Sequence, residues 1–266
     1  MGEGFLKEAV ISAQRAKQVM GDIPITIATH RQIESTIFDS VIVDQDPAYG
    51  TEDLLRHIQP LPYDKTLCID TDIYFYDDVS ELFEMLERFD IAAAFTPVKG
   101  GTEEYEDVPR SFPEYNCGVL SCKQSPEFND FVEEWRDIYQ SEQEKTSREP
   151  AFRKAIYHSD LRLAPLRQEY NCQVRHPGQV VGEVKIFHGR LVEMDLQGRI
   201  ARRKHYEIEE ATEKINRTTI PRTFTQLGGL KIHSNKTNSL IHRTRMAINR
   251  GGLRYTINRI IEKIRN

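Results

Sequence analysis

Phe5, Ala9, Val10, Ala13, Ala16 and Val19 recur at helical spacing over residues 3–20, and Gly21-Asp22 ends the run, which predicts an opening helix. Residues 23–28 and 38–43 then read as short strands, and residues 51–57 as a turn of helix with Thr51 as its cap. A strand-like apolar run covers residues 66–74. Leu82, Phe83, Leu86 and Phe89 mark the apolar face of a helix over residues 79–89, and residues 91–95 return to strand. After a polar, acidic loop over residues 100–113 come a short strand at 119–121, a helix over 126–139 that carries Trp135, a helix over 151–157, and a strand over 184–187 that ends before His188. This alternation predicts an α/β domain with a mostly parallel, mixed sheet flanked by helices. In such sheets ligands gather beyond the carboxyl ends of the strands.

The chemistry concentrates in Leu67-Cys68-Ile69-Asp70-Thr71-Asp72-Ile73-Tyr74-Phe75. Residues i and i+2 of a strand share one side, so Asp70 and Asp72 are expected to converge on one hard cation. Mg2+ or Mn2+ held by one or two carboxylates fills its remaining positions with water and substrate phosphates. An isolated Asp-x-Asp is common by chance, and the apolar run before this one gives it weight.

Composition is that of a globular chain and allows an ordinary enzyme: 266 residues, 39% hydrophobic and 29% charged, with a formal net charge of -5. The charge is uneven. Residues 51–134 hold 20 Asp and Glu against 6 Lys and Arg, whereas residues 240–266 hold seven Lys and Arg against one Glu. Cys68, Cys117, Cys122 and Cys172 form no CxxC pair or zinc-finger spacing, and the sequence shows no secretory signal or long apolar span, so free thiols in a cytoplasmic protein are expected. Residues 199–204 carry four cations, and residues 240–264 interleave Leu240, Ile241, Met246, Ile248, Leu253, Ile257, Ile260, Ile261 and Ile264 with Arg243, Arg245, Arg250, Arg254, Arg259 and Lys263. Such a basic amphipathic segment fits an anionic membrane surface, which would place the protein at the inner membrane face. It equally fits packing on the main domain or in a homodimer. Nucleic acid is disfavoured, because Tyr255 is the only stacking residue there.

The ordered blocks Tyr63-Asp64-Lys65-Thr66-Leu67-Cys68-Ile69-Asp70-Thr71-Asp72, Leu82-Phe83, Phe89-Asp90-Ile91-Ala92-Ala93-Ala94 and Pro113-Glu114-Tyr115-Asn116-Cys117-Gly118-Val119-Leu120 resemble nucleotide-diphospho-sugar transferases of the GT-A fold. The nearest likeness is to the glycogenin-like and lipopolysaccharide-galactosyltransferase-like retaining glycosyltransferases. The resemblance implies a GT-A catalytic domain over residues 1–198 and a basic C-terminal extension over 199–266. It implies a metal-dependent hexosyltransferase, retaining in outcome, that moves a sugar from a nucleotide-diphosphate donor to a glycan, lipid-linked or protein acceptor. Asp70 and Asp72 would then be metal ligands, with His188 as the third; an imidazole beside two carboxylates suits Mn2+ better than Mg2+. Asn116 and Gly118 match an Asn-x-Gly element that meets the sugar, the amide by hydrogen bonding and the glycine by close backbone approach. Arg190, and less directly Arg153 and Lys154, are candidate cations for the phosphates.

Two departures stand out. Where the family places Asp-Gln before its Pro-Ala-Phe-Arg-Lys-Ala helix, this chain has Arg148-Glu149. Glu149 is therefore a candidate nucleophile or charge stabiliser, or else a surface ion-pair partner of Arg148. The family also opens with a strand and a small-residue turn that receive the nucleotide base, whereas Met1-Gly2-Glu3-Gly4-Phe5 reads as the end of that turn, so the first strand is expected to be missing. These departures motivate one alternative, a catalytically impaired sugar-nucleotide binder or fragment. A second alternative is a haloacid-dehalogenase-like phosphatase, in which the first Asp of an apolar-strand DxD is the nucleophile. Tyr74 stands where that family expects Thr or Val, and Asp77-Asp78 comes too soon for its later paired acids.

Overall fold

The computed structural model describes residues 2–48, 50, 52–96, 105–141, 147–174, 176, 178–194, 208–217, 222–225 and 231–234. In chain order the elements are α1 (Glu3–Met20), β1 (Thr26–Thr29), β2 (Ser40–Val43), α2 (Glu52–His57), β3 (Lys65–Ile69), β4 (Ile73–Phe75), α3 (Glu81–Met85), β5 (Ile91–Phe95) and β6 (Tyr115–Lys123). They continue with α4 (Pro126–Ser141), α5 (Glu149–His158), β7 (Leu163–Leu166), a 3-10 turn (Gln168–Tyr170), β8 (Cys172–Gln173), β9 (Gly178–Val180), β10 (Ile186–His188), α6 (Ile208–Asn216), β11 (Arg222–Thr225) and β12 (Lys231–Ser234). The expected cap Thr51 and residues 240–266 lie outside the described residues, and no described helix is long and apolar enough to cross a membrane.

The central sheet has the order β3-β6-β5-β7. Strand β6 runs antiparallel to both β3 and β5, and only β5 and β7 pair in parallel. The sheet is mixed, as expected, but the described ladders are not mostly parallel. The helical periodicity of residues 126–139 was legible, while the direction in which β6 returns depends on contacts between strands far apart in sequence. Alternation along β5 sends Ile91 and Ala93 into a core shared with Leu55, Phe128, Phe131, Trp135 and Phe152 from α2, α4 and α5. Ala92 and Ala94 face the opposite core with Ala16 of α1, Leu82 of α3, and Ile73 and Phe75 of β4. Two apolar layers thus cover the sheet, as a sheet with both faces buried requires.

Strands β1 and β2 form a separate parallel pair, and β4-β10-β8 a second small sheet. Beyond the expected boundary at residue 198, β11 pairs with β9, and Ile208 and Ile215 of α6 join Tyr74 and Phe187 in one buried cluster. A cavity of about 1560 Å³ runs between β1 and β3, walled by Ala9, Ala13 and Ala16 of α1 and by Leu54, His57 and Ile58. Its polar end reaches Asp70, Asp72, Asn116, Arg148, His188 and Arg190.

Candidate metal and donor site

The apolar run that carries the two aspartates is not one strand. β3 stops at Ile69, Asp70-Thr71-Asp72 forms a turn, and β4 begins at Ile73. The two carboxylates therefore do not converge through strand alternation; the turn does it, pinned on both sides. Asp70 N donates to Gly118 O at 3.0 Å, extending the β3-β6 ladder, and Gly189 N donates to Asp72 O at 2.9 Å. β10 lies antiparallel to β4 with His188 opposite Ile73, which delivers the imidazole to the turn. Ligand atoms of Asp70, Asp72 and His188 lie within 4.8 Å of one another. His188 Nε2 is 3.4 Å from Asp72 Oδ1 and 3.8 Å from Asp70 Oδ2.

A chain of side chains sets the orientation of that ring. His188 Nδ1 lies 2.9 Å from Asn171 Oδ1, Asn171 Nδ2 donates to Asn116 Oδ1 at 2.8 Å, and Asn116 Nδ2 donates to Glu149 Oε1 at 3.4 Å. Read in order, each amide accepts on one side and donates on the other. Nδ1 then keeps its proton toward Asn171 in both states: the charged ring donates Nε2–H toward Asp72, and the neutral ring leaves the Nε2 lone pair free for a metal. Burial pushes the His188 pKa down, but the hydrogen bond and charge of Asp72, with the charge of Asp70, outweigh it and hold the ring above its ordinary value. Two carboxylates, one oriented imidazole and an open cavity fit a divalent cation of the Mn2+ or Mg2+ class.

Asn116 and Gly118 come to the site through an irregularity in β6. Opposite β5 the register shifts between Ala93, paired with Leu120, and Phe95, paired with Tyr115. Extra residues of β6 are accommodated there, and a bulge of this kind re-aims side chains beside a site. Gly118 leaves room for the cluster: a Cβ built on it would run into the His188 ring, lie 2.9 Å from Asp70 Oδ2 and 3.0 Å from Asn116 Oδ1.

Two residues that sequence reasoning did not place in the site, Glu8 and Asn171, are fully buried. Glu8 of α1 accepts from Leu191 N at 2.8 Å and Val192 N at 3.2 Å, and pairs with Arg190 Nη1 at 2.9 Å. Burial raises its pKa, the charge of Asp72 adds to that, and Arg190 with the two amides pulls back. Arg190, also 3.8 Å from Asp72 Oδ2, sits over the Phe5 ring on the cavity wall.

The residues before α5 behave differently from the surface ion pair envisaged above. Arg148 is buried and bonds Asp70 Oδ1 at 2.6 Å instead of Glu149. Glu149 is bound by the Ser147 hydroxyl and lies 3.4 Å from both Asn116 Nδ2 and Cys117 N, so it meets the site through Asn116. Arg153 and Lys154 do not face the cluster: Arg153 donates to Phe112 O and Pro109 O, and Lys154 pairs with Asp107 at 3.1 Å, both fastening the loop before β6. None of the four cysteines forms a disulfide.

Neither a protein-family model nor a curated protein matches the sequence. Solved structures do match. The glycosyltransferase GlyE of Streptococcus pneumoniae TIGR4, in its apo form, aligns with a TM-score of 0.51 at 13% identity, covering 83% of this chain and 56% of that one. Mouse xyloside xylosyltransferase 1 aligns with a TM-score of 0.45 at 15% identity over 70% of this chain and 92% of that one, and an active-site mutant of LgtC with 0.46 at 11% identity over 71% and 84%. The chain thus spans about half the length of GlyE and most of the other two. Its fold is the GT-A fold of nucleotide-sugar transferases.

Proposed function

We propose that this chain is a metal-dependent glycosyltransferase that moves a sugar from a nucleotide-diphosphate donor to a glycan, lipid-linked or protein acceptor. The observation that carries this reading is the convergence of Asp70, Asp72 and His188 at the polar end of a large cavity in a GT-A fold. Asp70, Asp72 and His188 would hold the cation, Mn2+ before Mg2+ because one donor is nitrogen. Such a cation would supply Lewis acidity toward the donor diphosphate and offset the charge on that leaving group. Arg190, fixed by Glu8, presents a guanidinium to the same phosphates from the cavity wall. Gly118 leaves room for the cluster that would face the donor, and Asn116 orients a sugar hydroxyl, its amide held by Glu149 on one side and Asn171 on the other. Glu149 in this reading acts through Asn116. Retention of the anomeric configuration belongs to the proposal and is read by proton NMR of the product.

The deciding experiment is thermal unfolding with UDP-, GDP- and ADP-sugars, with and without Mn2+, on the native chain and Asp72→Ala. A ligand that binds the folded state raises the midpoint by mass action. A metal-dependent rise with one nucleotide, absent in Asp72→Ala, is expected and names the donor class. No rise with any donor would remove this reading.

A further inference from the structure

Arg148 occupies a place that is costly for a cation. Its side chain is buried, it stands at the N-terminal end of α5, where the helix dipole already presents partial positive charge, and its buried Nε has no hydrogen-bond partner among the described residues. Its backbone is fixed, because its carbonyl accepts from Trp135 Nε1 at 3.1 Å and from Phe152 N at 3.0 Å. The charge in contact with the guanidinium is Asp70, whose Oδ1 lies 2.6 Å from Nη2; the Cys117 carbonyl adds a longer contact at 3.4 Å, and the charge of Glu149 acts on it from farther away. Asp70 is also a member of the metal cluster, and its other oxygen faces His188.

From this geometry we infer that Arg148 sets the metal affinity of the site, by engaging one oxygen of Asp70 and placing a permanent positive charge beside the cation. The inference rests on the metal-dependent reading above and concerns a residue that departs from the pattern of the resembling family. Asp70 then contributes only Oδ2 to a cation, in monodentate fashion. Arg148 is the guanidinium in contact with Asp70, whereas Arg190, 3.8 Å from Asp72, is already paired with Glu8 at 2.9 Å. A divalent ion entering there meets the Arg148 guanidinium beside Asp70, so the resting protein holds it more weakly than the same carboxylates would without that cation. A diphosphate brings its own negative charge and offsets Arg148, so cation and donor bind better together than apart.

The test is Mn2+ binding followed by the loss of the free-ion EPR signal, with no nucleotide present, on the native chain, Arg148→Gln, Arg148→Met and Asp72→Ala. Both neutral substitutions keep a stem of similar length, and each is checked for a cooperative melt; either one that folds decides the matter. The expected result is binding at least about tenfold tighter than the native chain once the guanidinium is removed, as loss of one like charge a few ångströms from a divalent ion predicts. Equal or weaker binding in the folded variant, with binding still lost in Asp72→Ala, would overturn the role of Arg148 and leave the metal site intact. Absence of binding in every protein would overturn both.

Discussion

Gly118 is the position where one added atom does most damage. Its neighbours on that side are the His188 ring, Asp70 Oδ2 and Asn116 Oδ1, so Gly118→Ala must push two of the three cluster members or the amide beside them. The expected outcome is a loss of Mn2+ affinity of about tenfold or more, with about 1–3 kcal/mol of stability lost to overpacking in urea titrations. Unchanged Mn2+ binding would show that the cluster is not the metal site. Asn171→Ala tests the orientation of the imidazole: with its Nδ1 partner gone, metal affinity should fall about 10–100-fold, and the metal-free protein should lose about 1–3 kcal/mol because His188 Nδ1 and Asn116 Oδ1 are left without their buried partner. Asp70 and Asp72 were legible in sequence because two acids end an apolar run. His188, Asn116 and Gly118 were legible only through the resemblance. Asn171 was not legible at all, since it is one amide in a polar stretch and acquires meaning only when β8 and β10 lie side by side.

At the scale of elements, α1 is the clearest case of a helix whose pattern was read and whose purpose was not. Its small residues Ala9, Ala13 and Ala16 are buried, as the periodicity requires, yet Glu8 is buried with them because its carboxylate caps the backbone of residues 191 and 192. Helical spacing cannot reveal a partner more than 180 residues away. Glu8→Ala leaves two buried N–H groups and Arg190 without their acceptor, which predicts a loss of about 2–4 kcal/mol in denaturant titrations and weaker nucleotide-sugar binding through Arg190. Glu8→Gln, which keeps one acceptor oxygen, should lose less. Helices were the most legible elements: residues 3–20 and 126–139 were placed within a few residues of α1 and α4. The helix expected over 79–89 is regular only as Glu81–Met85. β7, β8 and β9 were missed because runs of two to four residues, one with Pro165 inside it, carry too little periodicity.

For the whole molecule, the cluster sits where two sheets that share one apolar core meet: Asp70 follows β3 of the central sheet, while Asp72 precedes β4 and His188 ends β10 of the small one. A cation held there ties the two together, and its contribution depends on pH in a direction that can be worked out. In the metal-free protein His188 has a pKa raised above the ordinary 6.5. Its charged ring therefore stabilises the fold fully below that value, and the contribution is lost as pH rises through the raised pKa. Metal binding needs the neutral ring, so the gain from Mn2+ grows over the same interval. The two effects oppose each other, and the gap in melting temperature between Mn2+-loaded and metal-free protein should widen as pH rises from about 6.5. Glu8, also raised but from 4.5, titrates from a lower starting point and is present equally in a His188→Gln control. Melting curves from pH 6 to 9 with and without Mn2+ would check this. A gap that stays constant with pH, or that widens equally in His188→Gln, would show that the imidazole is not a ligand and that the two carboxylates hold the cation alone.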